Sequence, residues 1–256
     1  MLSRFLRTLS FLGASGCAAA LFPPDQVPTF HRLSKTPSPY VYIPKDWSAD
    51  RLWPVVIYLH GSQERGTDPA QPTQHGLGPV VWRSDGSFPA IVIFPQAAPH
   101  TLWGMPDNNT QVLAMLDEVM TRYRGDSARV YLTGNSLGGF GTWFMGALYP
   151  ERFAALVPIC GGVRGKAPSP DAPFASIPED QRVAEVAKRI GKVPVWAFHG
   201  AKDAKVPVRF SRELEAAMKS AGGDVRYTEY PDLGHLSWDT AYADPELWKW
   251  LFAQHR

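Results

Sequence analysis

The sequence predicts an α/β protein with a mostly parallel central sheet covered by helices on both faces. Continuous apolar runs, which are typical of strands buried on both sides, recur along the chain. Segments whose apolar residues have helical spacing separate these runs, and such alternation is the pattern of a parallel sheet. One run leads directly into a G-x-S-x-G pattern at residues 134–138 and then into a further helical segment.

Seven strands are expected in chain order. The first, at 40–44, alternates in polarity and ends at a proline, whereas the later runs are apolar and rich in β-branched residues. These later runs lie at 54–61, 90–95, 128–133, 153–160, 193–200 and 225–230. In a parallel sheet of this kind, reactive groups lie on loops at the carboxyl ends of the strands. The polar residues that follow strands in this way are His60, Ser136, Asp203 and His235.

Five helices are expected between and after these strands. The first can be capped by Asn108 or Asn109, and the second begins at Leu137 and stops at Pro150. The others carry their apolar residues on one side. The helical segments are therefore expected near 108–123, 137–149, 183–190, 210–221 and 244–251.

The segment 131–139 (Tyr-Leu-Thr-Gly-Asn-Ser-Leu-Gly-Gly) is typical of a tight strand-to-helix turn that exposes a serine hydroxyl above the sheet. Gly134 and Gly138 flank this serine at positions where a Cβ would collide with the neighbouring strand or helix. A G-x-S-x-G pattern alone is weak, so its weight comes from the strand before it and the helix after it. Ser136 is therefore the candidate nucleophile.

A candidate base and acid follow later in the chain. A serine hydroxyl needs a base to accept its proton, and the base needs a partner that holds its tautomer. Asp203 lies just past the strand at 193–200, and His235 lies just past the strand at 225–230. The order serine, acid, histidine, each after a strand, predicts a triad of Ser136, Asp203 and His235.

Alternatives to these two assignments remain open at the level of the sequence. Asp203 can instead cap the helix that begins near Pro207, and His235 can be an ordinary loop histidine. Asp232 and Asp239 are rival acids because each is close to His235 in the chain. They rank lower because they belong to the same loop as the base.

An oxyanion hole needs two backbone N–H groups aimed at the developing negative charge. The residue after the nucleophile, Leu137, should supply one of them. The other should come from the loop after the first long buried strand, where Ser62 is the leading candidate and Gln63 the alternative.

Three tryptophans, Trp103, Trp143 and Trp238, are candidates to line an acyl or aromatic pocket, with ordinary packing as the alternative. Trp103 and Trp238 are preferred, because Trp103 follows a strand and Trp238 follows the candidate base. His60 and His199 each precede a glycine at a strand end. They are expected to pack in turns rather than to take part in catalysis.

Composition limits the classes of function. A chain of 256 residues with 45% hydrophobic residues suits one α/β domain, expected at 22–256. The net charge of +2 and the absence of a basic cluster argue against a nucleic-acid partner. The sequence has neither an H-E-x-x-H motif nor a phosphate-binding glycine motif after a strand, so neither a metal nor a cofactor is expected. The sequence leaves the oligomeric state open.

Residues 1–21 have the features of an export signal. Arg4 and Arg7 form a positive n-region, and residues 9–16 form a short apolar stretch. Small residues before Cys17 resemble a bacterial lipoprotein site, while 18–20 offer an ordinary cleavage site. The protein is therefore expected to be periplasmic or lipid-anchored through Cys17. The alternative is a cytoplasmic protein with a disordered tail.

Four motifs resemble those of the α/β-hydrolase superfamily: Leu-His-Gly-Ser-Gln-Glu-Arg-Gly at 59–66, Gly-Asn-Ser-Leu-Gly-Gly at 134–139, His-Gly-Ala-Lys-Asp at 199–203 and Gly-His at 234–235. They are similar to its secreted or dienelactone-hydrolase-like esterases, which include feruloyl and acetyl-xylan esterases and polyhydroxybutyrate-depolymerase-like proteins. The resemblance extends from Tyr40 to the C-terminus. Dienelactone hydrolases proper use a cysteine nucleophile, so the serine here argues against dienelactone as the substrate.

The resemblance implies a serine carboxylic-ester hydrolase that acts through an acyl-enzyme on small-molecule esters with small or aromatic acyl groups. A serine peptidase similar to prolyl oligopeptidase is the alternative within the same chemistry. The alternative from another class is a catalytically idle hydrolase fold that serves as an envelope-anchored binding scaffold, because a fold alone does not determine function.

Overall fold

The computed structural model describes residues 29–34, 39–164 and 171–256. The predicted export signal at 1–21, with Cys17, lies outside the described residues. The described strands are β1 (Phe30–Arg32), β2 (Tyr40–Tyr42), β3 (Trp53–Leu59), β4 (Ile91–Phe94), β5 (Gly125–Asn135), β6 (Ala155–Ile159), β7 (Val195–Gly200) and β8 (Val225–Tyr230). They form one sheet in the order β1-β2-β4-β3-β5-β6-β7-β8. β1 and β2 pair antiparallel at one edge, and β3 to β8 are parallel.

Helices cover both faces of this sheet, and they are α1 (Leu77–Arg83), α2 (Pro106–Arg122), α3 (Leu137–Leu148), α4 (Glu179–Ile190), α5 (Arg209–Ser220), α6 (Trp238–Ala243) and α7 (Pro245–Phe252). One apolar core holds buried residues of α2 to α5, such as Val112, Met145, Val186 and Leu214. The other holds buried residues of α1, α6 and α7, such as Leu77, Tyr242 and Leu247. The predicted α/β architecture is therefore confirmed. None of the described helices combines the length and apolarity that a bilayer span requires.

The start of α2 differs from the expectation. The helix begins at Pro106, so neither Asn108 nor Asn109 is its N-cap. Proline is favoured in the first helical turn because its missing N–H would have no partner there. The two asparagine side chains instead donate hydrogen bonds to the preceding loop: Asn108 to the Leu102 carbonyl at 2.7 Å and Asn109 to the Gly104 carbonyl at 2.8 Å. They attach this loop to the helix.

The turn between β5 and α3 is tight, as the glycine positions predict. Ser136 has φ 54° and ψ −117°, a conformation that a non-glycine residue seldom adopts. A Cβ on Gly138 would lie 1.7 Å from the carbonyl oxygen of Leu59, and one on Gly134 would lie 2.5 Å from the carbonyl oxygen of Gly138. The predicted close approach of helix and sheet is confirmed. It places Ser136 above the carboxyl ends of the central strands.

Candidate active site

Three predicted site residues meet at the carboxyl edge of the sheet. The Nε2 atom of His235 lies 2.9 Å from the Oγ atom of Ser136, and its Nδ1 atom lies 2.7 Å from Oδ2 of Asp203. A carboxylate only accepts hydrogen bonds, so Nδ1 carries the imidazole proton and Nε2 is free to accept the serine proton. The sheet thus brings the ends of β5, β7 and β8 together into one hydrogen-bonded chain.

The carboxylate of Asp203 is fully buried and held by the backbone. Its Oδ1 atom accepts hydrogen bonds from the N–H groups of Lys205 at 2.8 Å and Val206 at 2.9 Å. Burial by itself would raise the pKa of Asp203. The hydrogen bonds from His235, Val206 and Lys205 outweigh burial, and the pKa of this carboxyl is lower than its ordinary value. Asp203 is therefore held as a carboxylate beside His235.

The alternative assignments find no support among the described contacts. α5 begins at Arg209 without a side-chain cap, so Asp203 does not cap it. Asp232 is exposed and forms an ion pair with Lys202 at 2.8 Å. Asp239 belongs to α6, and burial raises its pKa.

The backbone N–H groups expected to form the oxyanion hole belong to Leu137, directly after Ser136, and to the loop after β3. Leu137 is the first residue of α3, where N–H groups have no acceptor within the helix and the helix dipole adds positive potential. The N–H of Ser136 itself donates to the Ile159 carbonyl at 3.0 Å. Ser62 and Gln63 both line the cleft beside Ser136, so the choice between them as the second donor stays a prediction.

The cleft above Ser136 has a volume of about 360 Å³ and a mixed lining. Trp238 lines it, as predicted for a pocket residue, and packs edge-on against the His235 ring with the centroids 5.3 Å apart. Leu236 adds an exposed apolar side chain at the rim. Glu64 and Lys205 contribute ionisable groups to the lining. Burial raises the pKa of Glu64, a wall residue that the sequence analysis did not identify.

The structure contradicts the predicted pocket role of Trp103. This side chain is 1% exposed and lies in the core, where its Nε1–H donates to the His60 carbonyl at 3.0 Å. A buried indole needs an acceptor for its N–H, and the strand end at His60 supplies one. Trp143 is also fully buried in this core.

His60 packs at a strand end, as expected, and does not contact Ser136. Its Nε2 atom accepts a hydrogen bond from the Ala97 N–H at 3.0 Å, so Nδ1 carries the proton and donates to the Gly61 carbonyl at 2.6 Å. The ring thereby joins the β3–α1 loop to the end of β4. Burial lowers the pKa of His60 to about 4.

Because His60 is buried and neutral, we predict that the folded protein loses stability in mild acid. The unfolded chain binds a proton at His60 below an ordinary pKa of 6.5, whereas the folded chain binds it only below about 4. The contribution of neutral His60 to the free energy of unfolding is complete above pH 6.5 and decreases as the pH falls towards 4. We expect this contribution to shrink by about 2 kcal/mol between pH 7 and pH 5. Urea unfolding of the wild type and of His60→Gln at both pH values measures it. An equal pH dependence in the two proteins would contradict the prediction.

One group of potential metal ligands occurs among the described residues. The ligand atoms of Cys160, Asp203 and His235 lie within 4.8 Å of one another. A thiol must lose its proton to bind a metal, and burial raises the pKa of Cys160 well above the ordinary value. Its sulfur accepts the Ser136 N–H at 3.3 Å, while the other two side chains bind each other. The contacts of this cluster are therefore better explained by hydrogen bonding that holds the turn at Ser136 than by metal binding.

The sequence profile of the prolyl oligopeptidase family matches residues 103–252, which are more than half of the chain and include Ser136, Asp203 and His235. The chain belongs to the prolyl oligopeptidase family.

Similar proteins are found for this member of the prolyl oligopeptidase family in several organisms. It is 28% identical over 174 residues to feruloyl esterase B of Neurospora crassa, a match that covers 60% of this chain and 53% of that protein. It is 26% identical over 202 residues to an uncharacterized secreted protein of Arthroderma benhamiae, with 71% of this chain and 21% of that protein covered.

Solved structures include a thermostable esterase that is 32% identical, with a TM-score of 0.73 and with 89% of this chain and 63% of that chain covered. The likeness confirms the predicted α/β-hydrolase fold for this family member. The chain spans less than two thirds of the length of each of these three proteins.

Proposed function

We propose that the protein is a serine carboxylic-ester hydrolase that acts through an acyl-enzyme. The observation that carries the proposal is the hydrogen-bonded chain from Ser136 through His235 to Asp203 at the carboxyl ends of three parallel strands. Both hydrogen bonds have the lengths that proton transfer and tautomer control require. Two relatives that are named as esterases, the feruloyl esterase and the thermostable esterase, support the same chemistry.

In this mechanism Ser136 Oγ attacks the ester carbonyl while His235 Nε2 accepts its proton. The carbonyl oxygen becomes negatively charged, and the N–H of Leu137 with that of Ser62 stabilises it. Collapse of the tetrahedral intermediate expels the alcohol, which takes the proton from His235. Water then enters and attacks the acyl carbonyl while His235 accepts one of its protons. Collapse of this second tetrahedral intermediate breaks the bond to Ser136 Oγ and releases the acid, and His235 returns the proton to Oγ. Asp203 stabilises the imidazolium in both halves of the reaction.

We further propose that the substrate is a small-molecule ester with a small or aromatic acyl group. A cleft of about 360 Å³ has room for such a group beside Ser136, and Trp238 and Leu236 offer it an apolar contact. Glu64 and Lys205 can hydrogen-bond to polar parts of the other half of the ester.

An exported location, periplasmic or lipid-anchored through Cys17, belongs to the same proposal. The secreted relative from Arthroderma benhamiae supports export, and the signal-like composition of residues 1–21 supports it independently.

Peptidase activity is the second candidate, and membership of the prolyl oligopeptidase family favours it. The same serine, histidine and aspartate would then attack an amide, which is less reactive than an ester. The difference lies in the leaving group, because His235 must protonate an amine rather than an alcohol.

A panel of chromogenic substrates tests the proposal. We expect Ser136-dependent turnover of p-nitrophenyl esters that declines from acetate and butyrate to octanoate, because the cleft has a volume of only about 360 Å³, together with turnover of methyl ferulate. A prolyl p-nitroanilide should be hydrolysed at least about 100-fold more slowly in kcat/KM, a difference of roughly 2.7 kcal/mol in transition-state binding. Comparable rates on the anilide would favour the peptidase. No turnover of any ester by folded protein would overturn the proposal.

A further inference from the structure

The carboxylate of Asp203 has a second histidine beside it. His199 is the fifth of the six residues of β7, and its ring is fully buried. Its Nε2 atom lies 3.2 Å from Oδ2 of Asp203, the same oxygen that binds His235, and 3.1 Å from the carbonyl oxygen of Val206. Two imidazoles therefore face one carboxylate oxygen, one from β7 and one from the loop after β8.

The partners of His199 determine its tautomer. Both oxygens near Nε2 are acceptors, so Nε2 carries the proton; it donates to the Val206 carbonyl, and Oδ2 of Asp203 lies at nearly the same distance from it. On the other side of the ring, Nδ1 lies 2.7 Å from the hydroxyl of Ser211, a buried residue of α5. An unprotonated Nδ1 accepts from this hydroxyl, so Ser211 favours the tautomer in which Nε2 donates.

His199 is neutral in this arrangement. Burial lowers its pKa, and the neighbouring His235 lowers it further, while Asp203 and the Val206 carbonyl act in the opposite direction. Glu229 of β8 is the other charged group that faces His199, because the two residues are paired in the sheet. Glu229 forms its own ion pair with Arg212.

We propose that His199 is a positioning residue for the acid of the site, donating from Nε2 to Oδ2 of Asp203, and that Ser211 holds His199 in the donating tautomer. The inference rests on the proposed function, in which Asp203 orients His235. The carboxylate accepts two backbone N–H groups at Oδ1 and the Nδ1–H of His235 at Oδ2, and the protonated Nε2 of His199 lies 3.2 Å from that same Oδ2. With the His199 N–H as the proposed fourth donor, each lone-pair position of Asp203 has a partner, which restricts rotation of the carboxylate away from His235.

Two measurable consequences follow from sharing Oδ2 between two donors. Loss of the His199 donor leaves Asp203 less firmly oriented, which lowers kcat and leaves substrate binding almost unchanged. It also removes a donor that disperses the negative charge on Oδ2. His235 then faces a carboxylate oxygen that carries more negative charge. The acid limb of the pH profile of kcat/KM should therefore move to higher pH.

The test compares His199→Leu, His199→Gln and Ser211→Ala with the wild type on one p-nitrophenyl ester from pH 5 to 9. We expect His199→Leu to lower kcat about 10-fold, the loss associated with one hydrogen bond, with KM changed less than about twofold. Its acid limb should rise by about 0.5 pH unit. His199→Gln should recover most of kcat, because its amide N–H can take the place of Nε2–H. His31→Gln, on the exposed edge strand β1, is the matched control and should behave as the wild type.

Ser211→Ala separates this role from simple packing. We expect it to lower kcat about threefold in the wild type and to have no further effect in His199→Leu, since Ser211 acts through the imidazole. Thermal unfolding shows which variants are folded. If His199→Leu does not fold, the kcat values of Ser211→Ala and His199→Gln test the positioning role of His199.

Several outcomes would overturn the inference. One is a folded His199→Leu variant in which neither kcat nor the acid limb has changed. Another is an equal loss of kcat in His199→Gln and His199→Leu. Additive losses from Ser211→Ala and His199→Leu would also contradict it. A wild type that turns over no ester would overturn the proposed function itself, an outcome that the wild-type assay detects before any variant is made.

Discussion

Replacement of Ser136 by alanine is expected to abolish ester hydrolysis, with a loss in kcat of about a million-fold, the scale known for the loss of a catalytic serine. The reason is that Oγ is the atom that His235 Nε2 reaches at 2.9 Å in the structure. Alanine keeps the Cβ and the backbone of the turn, so the fold should be retained. Two measurements check the result: turnover of p-nitrophenyl acetate and covalent labelling by a fluorophosphonate, which reacts with an activated serine.

The matched control for this variant is Ser127→Ala. Ser127 is exposed and lies on the same strand, β5, towards its amino end and away from the cleft. It should keep full turnover and full labelling. Labelling that survives in Ser136→Ala would place the nucleophile elsewhere and contradict the assignment.

The second large effect is expected for Asp203→Asn, with a loss in kcat of about 10⁴-fold, as in other serine triads. The amide has nearly the same shape, and its oxygen can still accept the N–H groups of Lys205 and Val206. Its NH₂ group, however, is a donor that faces His235. The imidazole then carries its proton on Nε2, where it cannot accept the proton of Ser136. The kcat of both proteins at pH 8 measures the loss.

The rival acids provide the controls for Asp203→Asn. Asp232→Asn changes an exposed residue whose partner is Lys202, and it should leave kcat within about twofold of the wild type, as expected for a surface pair. Asp239→Asn tests the remaining carboxylate near the base. If Asp239→Asn lost activity on the scale expected for Asp203→Asn while Asp203→Asn remained active, the assignment of the acid would be wrong.

The parts of the structure that local patterns determine could be predicted from the sequence. The strand, the glycines and the helix around Ser136 follow from steric rules that act over nine residues, and the structure has that turn. The positions of Asp203 and His235 followed from strand ends, because parallel strands bring their carboxyl ends to one edge. The strands β3 and β4 were similarly evident from continuous apolar runs.

The parts that depend on packing between distant segments could not be predicted. Trp103 follows a strand, as a pocket residue would, but its side chain is buried in the core and its indole N–H donates to the carbonyl of His60, a residue 43 positions earlier. His199 was expected only to pack in a turn. Its ring lies beside Asp203, four residues later, and no local pattern in the sequence indicates this contact. Helices α1 and α6 escaped prediction because each is only six or seven residues long and gives little periodic signal.

The order of the strands has a consequence for how the molecule reaches its native state. His235 contacts Ser136 across 99 positions of the chain and Asp203 across 32 positions. Parallel pairing of this kind closes large loops before it gains contacts, so folding is slow compared with that of helical proteins. β8, which precedes the loop that carries His235, pairs with β7 alone at the edge of the sheet. The contacts of His235 with Ser136 and Asp203 therefore form only when β5, β7 and β8 have all docked, and under the proposed function the appearance of activity during refolding reports the assembly of this half of the sheet.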